Sequence, residues 1–288
     1  MIGLIDVGGG NRGCYGCGVM DRFLSENIHI SYGIGVSAGS ANLASYFSGQ
    51  KGRNYRFYTK YNLRQEAISL RNLIHKKNMV DVEYIYGTIS NKDGEDPLDF
   101  EKIQKSDCTW WIVATDAGTG LPVYFNGKDM AQDDFGALKA SSNVPVVNKP
   151  YAWRNGLYYD GGISDPIPVE KALRDGCDKV IVILTRPRDY FRTPDLDVML
   201  AKMIRRKYPE AARDLARRAD VYNRELALCQ RLEKESKVKI IAPDSIGNMK
   251  TLSHNVKPIR KLYHKGWHDA EDAFDFYLSA CGDTKKLY

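Results

Sequence analysis

Residues 2–13 read IGLIDVGGGNRG, and residues 28–40 read IHISYGIGVSAGS. Each is an apolar run that ends in glycines, and each is followed by residues whose apolar positions return at helical spacing. Ile2–Val7 reads as a buried strand and Arg12–Asn27 as a helix with Val19, Met20, Phe23 and Leu24 on one face. Ile28–Val36 reads as a second strand, and Ala38–Gln50 as a second helix that opens on small residues. Strand, helix, strand, helix in succession is the pattern of an α/β fold with parallel neighbours.

Further along, Tyr55–Ser90 reads as helical and polar, a peripheral cap. Trp110–Thr115 (WWIVAT) and Leu121–Phe125 read as strands, with Asp116–Gly120 as the hairpin turn between them. Asp134–Ser142 reads as a helix, and Tyr158-Tyr159 leads into Asp160-Gly161-Gly162. Pro166 and Pro168 mark a turn, and Val180–Leu184 and Lys237–Ala242 read as buried strands. Leu196–Lys234 is charged, free of glycine and interrupted by Pro209, which predicts two helices with Pro209 in the first turn of the second. Asp269–Ala280 reads as a terminal helix. No repeat or Pro/Gly/Ser linker divides the chain. The expectation is one domain over residues 1–288, with its motifs in a core of about 2–185 and a helical extension from about 196 to 288.

The composition narrows the setting. At 288 residues, 43% of them hydrophobic, the chain can bury a sizeable core. Mean hydropathy is −0.43, and no stretch approaches the roughly 20 apolar residues of a membrane span. The chain opens directly on a strand, without the basic and apolar regions of a leader, and its last residues, KKLY, carry no prenylation box. Net charge of +6 favours anionic partners, lipid head groups among them. Without an export signal, the six cysteines are expected as reduced thiols. The expected location is cytoplasmic, with peripheral contact at the inner membrane surface.

The motifs carry chemistry. GVSAGS at 35–40 holds Ser37 at the centre of G-x-S-x-G, where Gly35 and Gly39 permit a tight strand-to-helix turn. A serine hydroxyl needs a base to take its proton and donors to hold the oxyanion it creates. Gly8, Gly9, Gly10, Asn11, Arg12 and Gly13 form a loop whose amides approach an anion closely. The oxyanion donors would be the amides of Gly9, Gly10 and Asn11 or Arg12, with the Arg12 side chain assisting or binding a substrate phosphate. GGGNRG also satisfies the dinucleotide pattern G-x-G-x-x-G, but the second strand ends in GVSAGS where that fingerprint requires an acidic residue. Asp160, followed by Gly161 and Gly162, is the candidate base, its basicity raised by apolar neighbours. A histidine triad using His254 or His264 is the competing arrangement. It fits poorly, because α/β-hydrolases place several strands before their serine and Ser37 follows one strand–helix unit and its own strand.

Taken in order, GGGNRG at 8–13, GVSAG at 35–39 and DGG at 160–162 resemble a patatin-like phospholipase of the bacterial type. ATDAGTG at 114–120 and ASSNVP at 140–145 add to the resemblance, which covers roughly residues 2–185. It implies a three-layer α/β/α fold around a mostly parallel sheet. It also implies a Ser–Asp dyad of Ser37 and Asp160 without histidine, an oxyanion hole in the glycine loop, and hydrolysis of fatty acyl esters through an acyl-enzyme. No cofactor or metal is called for.

Other signals lead elsewhere. Cys14-Tyr15-Gly16-Cys17 has the spacing of a thiol redox pair, and a thiol oxidoreductase is a third reading behind a non-catalytic lipid- or protein-binding relative. Two small residues packed in the core is the simpler account of the cysteines. Arg205, Arg206, Lys207, Arg213, Arg217, Arg218, Arg224 and Arg231 make the 196–234 helices basic, with acidic residues interleaved. That pattern describes a solvated, ion-paired face, or else a surface that settles on anionic lipid. No nucleic-acid-binding module is present.

Overall fold

A computed structural model of the chain describes residues 1–282. The terminal KKLY, expected above to lack a lipid anchor site, lies outside the described residues. The strands are β1 (Ile2–Asp6), β2 (Tyr32–Val36), β3 (Thr109–Asp116), β4 (Pro122–Asn126), β5 (Tyr151–Trp153), β6 (Gly156–Asp160), β7 (Lys179–Ile183) and β8 (Val238–Ile241). The helices are α1 (Cys14–Ser25), α2 (Ala38–Phe47), α3 (Arg53–Arg56), α4 (Leu70–Lys76), α5 (Phe100–Lys105), α6 (Gly136–Ser141), α7 (Val169–Arg174), α8 (Asp195–Ile204), α9 (Pro209–Lys234), α10 (Val256–Asp269) and α11 (Phe274–Cys281).

All eight strands form one sheet in the order β5-β6-β3-β2-β1-β7-β8, with β4 paired to β3. β3, β2, β1, β7 and β8 run parallel, β4 and β6 pair antiparallel with β3, and β5 pairs antiparallel with β6. Helices cover both faces, so the parallel strands bury both sets of side chains. Leu4, Ile181 and Ile183 face α1, α2 and α10, while Ile5, Val180 and Val182 face the layer of α7 and α9. This is a three-layer α/β/α fold around a mostly parallel sheet.

Two glycines explain how α2 sits so close to the sheet. In β2, Ile34 and Val36 pack on the α7/α9 side, and Gly33 and Gly35 occupy the alternate positions. A methyl group on Gly33 would crowd the Phe47 ring at 2.8 Å, and one on Gly35 would overlap the Ser40 backbone. On the same side, α1 and α10 cross at backbone contact: a side chain on Gly18 would overlap the Tyr263 carbonyl, and one on Gly266 the Tyr15 carbonyl.

The structure departs from the sequence-based elements in several places, with α5 and α7 appearing where no helix was expected. Tyr55–Ser90 is not a polar peripheral helix. It contains α3, α4 and two short π-helical turns, and Phe57, Tyr58, Tyr61, Ile85 and Tyr86 are buried in the core. Its polar average hides aromatic residues that all point inward. The hairpin of β5 and β6, closed by Arg154 and Asn155, was not expected, because its strands are short. Finally, α10 precedes the terminal helix, which itself begins as a 3-10 turn at Ala270–Ala273.

Candidate active site

The β2–α2 turn places Ser37. Its backbone lies at φ 56°, ψ −131°, a conformation L-residues rarely adopt. The turn is held from both sides. A methyl group on Gly39 would overlap the Asp6 carbonyl, and one on Gly8 the Val36 carbonyl. The Ser37 amide donates to Ser141 Oγ at 2.9 Å, and Ser141 in turn contacts Ser40 Oγ at 3.1 Å. α6 thus locks the Ser37 backbone.

The β1–α1 loop places the donors. Gly8, Gly9 and Gly10 have φ of 63°, 113° and 60°, a run that only glycines accept without strain. The Asp6 carboxylate at the end of β1 accepts the Gly8 amide at 2.8 Å and Asn42 Nδ2 at 2.8 Å. Asp6 is fully buried, and desolvation lifts its pKa to about 6 against the pull of those two donors. The Asn11 amide donates to the Thr251 carbonyl at 2.8 Å, so it is already engaged. Among the described residues, the Gly9 and Gly10 amides have no protein acceptor. Gly13 serves packing: its carbonyl accepts Asn42 Nδ2, and a methyl group there would press on the Tyr58 hydroxyl at 2.5 Å.

Asp160 ends β6 and caps the short turn of Gly161–Ile163, accepting the Gly162 amide at 2.8 Å. Its carbonyl accepts Thr115 Oγ1 at 2.9 Å, and its amide donates to the Asn143 carbonyl at 3.0 Å. The carboxyl lines the same cleft as Ser37. Burial raises its pKa, opposed by Ser37, the Gly162 amide and the charge of Arg218. A side chain on Gly161 would overlap the Val113 carbonyl, whereas one on Gly162 would meet side-chain atoms alone, Asp160 Oδ1 at 3.1 Å and Val36 Cγ1 at 3.7 Å. Glycine is therefore demanded at 161 and merely accommodated at 162.

Two cavities meet at Ser37. One, about 70 Å³, lies among Phe57, Tyr58, Ile68, Val80, Ile85 and Leu138. The other, about 280 Å³, is lined by Asp160, Gly9, Gly10 and four arginines, Arg12, Arg186, Arg192 and Arg218. Val144, Thr251 and Leu252 contribute to both walls. All five histidines are exposed, and none lines either cavity. Cys14 and Cys17 are buried in the core beside Asp21, and burial pushes both thiols well above the ordinary range. That is the wrong environment for a reactive thiolate. Among the described residues, no cluster of metal-ligating side chains occurs.

Sequence reasoning missed several of these residues. Asp6 organises the glycine loop, and its place at the end of an apolar strand was the available signal. Ser141 lay within ASSNVP without a role of its own, and Thr251, Arg186 and Arg192 carried no motif.

A three-layer α/β/α sheet with a serine at its strand-to-helix turn, a glycine loop beside it and an aspartate at the end of a nearby strand defines a class of protein. The patatin-like phospholipase family matches residues 7–173, and the chain belongs to that family. Residues 208–281 match a second family, described as a domain of unknown function, DUF6363. YjjU of Escherichia coli (strain K12), described as uncharacterized, is 28% identical over 198 residues, covering 67% of this chain and 54% of its own length. The chain thus spans about half of that relative. The crystal structure of VipD from Legionella pneumophila superposes at a TM-score of 0.48, with 14% identity, over 96% of this chain and 66% of that one.

Proposed function

We propose that the protein is a serine acyl hydrolase acting on fatty acyl esters of lipids, of the phospholipase A, lysophospholipase or esterase type. The observation that carries this reading is the position of Ser37, strained at the junction of an apolar cavity and an arginine-lined cleft that also holds Asp160. Asp160 takes the Ser37 proton as Oγ attacks the ester carbonyl. The Gly9 and Gly10 amides hold the oxyanion. The alcohol leaves with the proton from Asp160, and the acyl group stays on Ser37. Asp160 then deprotonates a water, whose attack releases the fatty acid and restores the serine. The acyl chain fits the apolar cavity. A panel of p-nitrophenyl esters and phospholipids tests this, with wild type hydrolysing and Ser37→Ala inert. If wild type is inert on the whole panel, a non-catalytic lipid-binding relative is the better account.

Substrate reaches the site from a lipid surface by way of α8. Leu196 and Leu200 line the open cleft, and Met199 and Met203 on the same helix are 54% and 65% exposed. Arg205, Arg206 and Lys207 follow, exposed and, among the described residues, without a carboxylate partner. Exposed apolar residues beside unpaired cations suit an anionic interface. Among the described residues, no helix is long and apolar enough to cross a membrane. The sheet also argues for one folding unit, since β7 and β8, beyond the patatin-like segment, continue the sheet through β1, which pairs with β2 inside that segment. A single unfolding transition is the expected result, and two would divide the chain.

A further inference from the structure

The glycine loop is held by a strap from the C-terminal part of the chain. Between β8 and α10, residues 242–255 form no helix or strand, a long connection for a compact domain. This strap lies in the segment that matches the domain of unknown function, outside the patatin-like one. The Asn11 amide donates to the Thr251 carbonyl at 2.8 Å, and Asn11 Nδ2 donates to the Ser253 carbonyl at 2.8 Å. Arg12 Nη1 donates to Thr251 Oγ1 at 2.7 Å. Gly10 meets the strap at backbone contact, since a methyl group there would overlap the Thr251 carbonyl. The strap's own shape is set by local bonds. The Lys250 amide donates to Ser253 Oγ at 2.8 Å, and the Ser253 amide donates to the Lys250 carbonyl at 3.2 Å. These close a turn with Thr251 and Leu252 between its ends, and Asn255 then caps α10 by accepting the Lys257 amide at 3.1 Å.

Three consecutive glycines at positive φ do not hold one conformation by themselves. An oxyanion site, however, works only when its donors already point to where charge develops. The loop must therefore be fixed from both flanks. On the β1 flank, the Asp6 carboxylate accepts the Gly8 amide, and the Gly8 carbonyl accepts Thr185 Oγ1. On the α1 flank, Asn11 is 1% exposed, gives its amide and Nδ2 to the strap, and accepts Asn62 Nδ2 at Oδ1, 3.1 Å away. Gly9 and Gly10 lie between the two anchors. We infer that Thr251 and Ser253 brace the oxyanion loop, and that Thr251 is a positioning residue that sets the direction of the Gly9 and Gly10 amides through Asn11 and Arg12. The segment of unknown function thereby completes a site that the patatin-like segment begins. The kinetic role of the brace rests on the acyl hydrolase reading; the tether itself does not.

Two variants of the full chain separate the brace from simple packing. Thr251→Val keeps the side chain's shape and removes the acceptor for Arg12, whereas Thr251→Ser keeps the hydroxyl. Each is compared with wild type by hydrogen exchange of the Gly8–Arg12 amides and by kcat and KM on a short p-nitrophenyl ester. In Thr251→Val the Asn11 amide should exchange about tenfold faster or more, the scale of losing one charge-assisted bond. Its kcat should fall about tenfold to a hundredfold, the scale of a misplaced catalytic group, with KM little changed. Thr251→Ser should restore most of both. Unchanged exchange in Thr251→Val would overturn the brace. So would a loss of activity carried by KM, or one that Thr251→Ser shares, because either would come from packing along the cavity walls. A wild type inert on every ester, with faster exchange in Thr251→Val, sinks the hydrolase reading alone. A wild type that hydrolyses esters, with Thr251→Val unchanged in both measurements, sinks this inference alone.

Discussion

The turn around Ser37 and the arginine cleft beside it share a wall and are built by opposite means. Around Ser37 the chain removes side chains: Gly8, Gly35, Gly39 and Gly161 each lie where a methyl group would strike backbone. In the cleft the chain gathers long charged side chains from residues 12, 186, 192 and 218 and holds only part of that charge with Asp197. The first construction is steric and tolerates no change. The second is electrostatic and degrades by degrees. Substitutions on the two sides should therefore differ in kind, from abolition to modulation.

The largest effect belongs to the dyad. Ser37→Ala and Asp160→Asn should each lower kcat/KM on a p-nitrophenyl ester by about 10³–10⁶-fold, and the double variant should be little worse than either. The pair His254→Gln and His264→Gln should change it less than about twofold, since both side chains are exposed and outside the cavities. Strong residual activity in Asp160→Asn, or a large loss in the histidine pair, would restore the histidine arrangement.

Next come the glycines. Gly39→Ala forces a methyl group onto the Asp6 carbonyl and should cost about 3 kcal/mol or more in urea unfolding, the upper range of overpacking. Gly247, unlike Gly39, sits at positive φ, 53°, and nothing lies within 4 Å of an added methyl. Gly247→Ala should cost about 1 kcal/mol, from backbone strain alone. Equal losses would mean that the Ser37 turn yields more readily than its contacts imply.

A smaller effect follows from the raised pKa of Asp160. Above the carboxylate's ordinary value of 3.8, the unfolded chain ionises it while the folded chain still holds the proton. The folded state then binds more protons, so this group's contribution to stability falls as pH rises from 3.8 to the raised value and stays low above it. Asp160→Asn removes that loss. Its stability relative to wild type should improve between pH 4 and neutrality, even as activity disappears. In wild type, activity should fall on acidification from a pH above the ordinary carboxylate range, because protonated Asp160 cannot act as the base. A variant equally destabilised at every pH would contradict the shift.

The smallest effect concerns delivery. Activity on anionic vesicles should drop several-fold from low salt to physiological salt, where charges are screened beyond about 8 Å. Activity on a short soluble ester should not. Arg205→Gln, Arg206→Gln and Lys207→Gln together should reproduce that contrast. Identical salt responses on both substrates would make α8 an ordinary solvated face.

The contrast between the two constructions also explains what the sequence disclosed. The Ser37 turn is contiguous: GVSAGS, GGGNRG and DGG each compress a steric demand into a few residues, so their spacing is readable. The parallel core was legible for the same reason, as in β1 and β7, where apolar runs fill both faces. The arginine cleft is assembled from four distant positions, and no local pattern distinguishes Arg186 from a surface cation. The Tyr55–Ser90 segment misled because its exposed polar residues outweigh the buried aromatics that wall the apolar cavity. The helix α10 went unseen although Gly266 marks its crossing with α1, since a close approach appears only once both helices are placed.

The account stands on Ser37 as an activated nucleophile. Incubating the full chain with a fluorophosphonate and reading the adduct by peptide mass spectrometry tests that directly. The account predicts one adduct per chain, on the peptide that contains Ser37, formed at least about 10²-fold more slowly in Asp160→Asn. No adduct at Ser37, or one that forms equally fast without the Asp160 carboxylate, would contradict it.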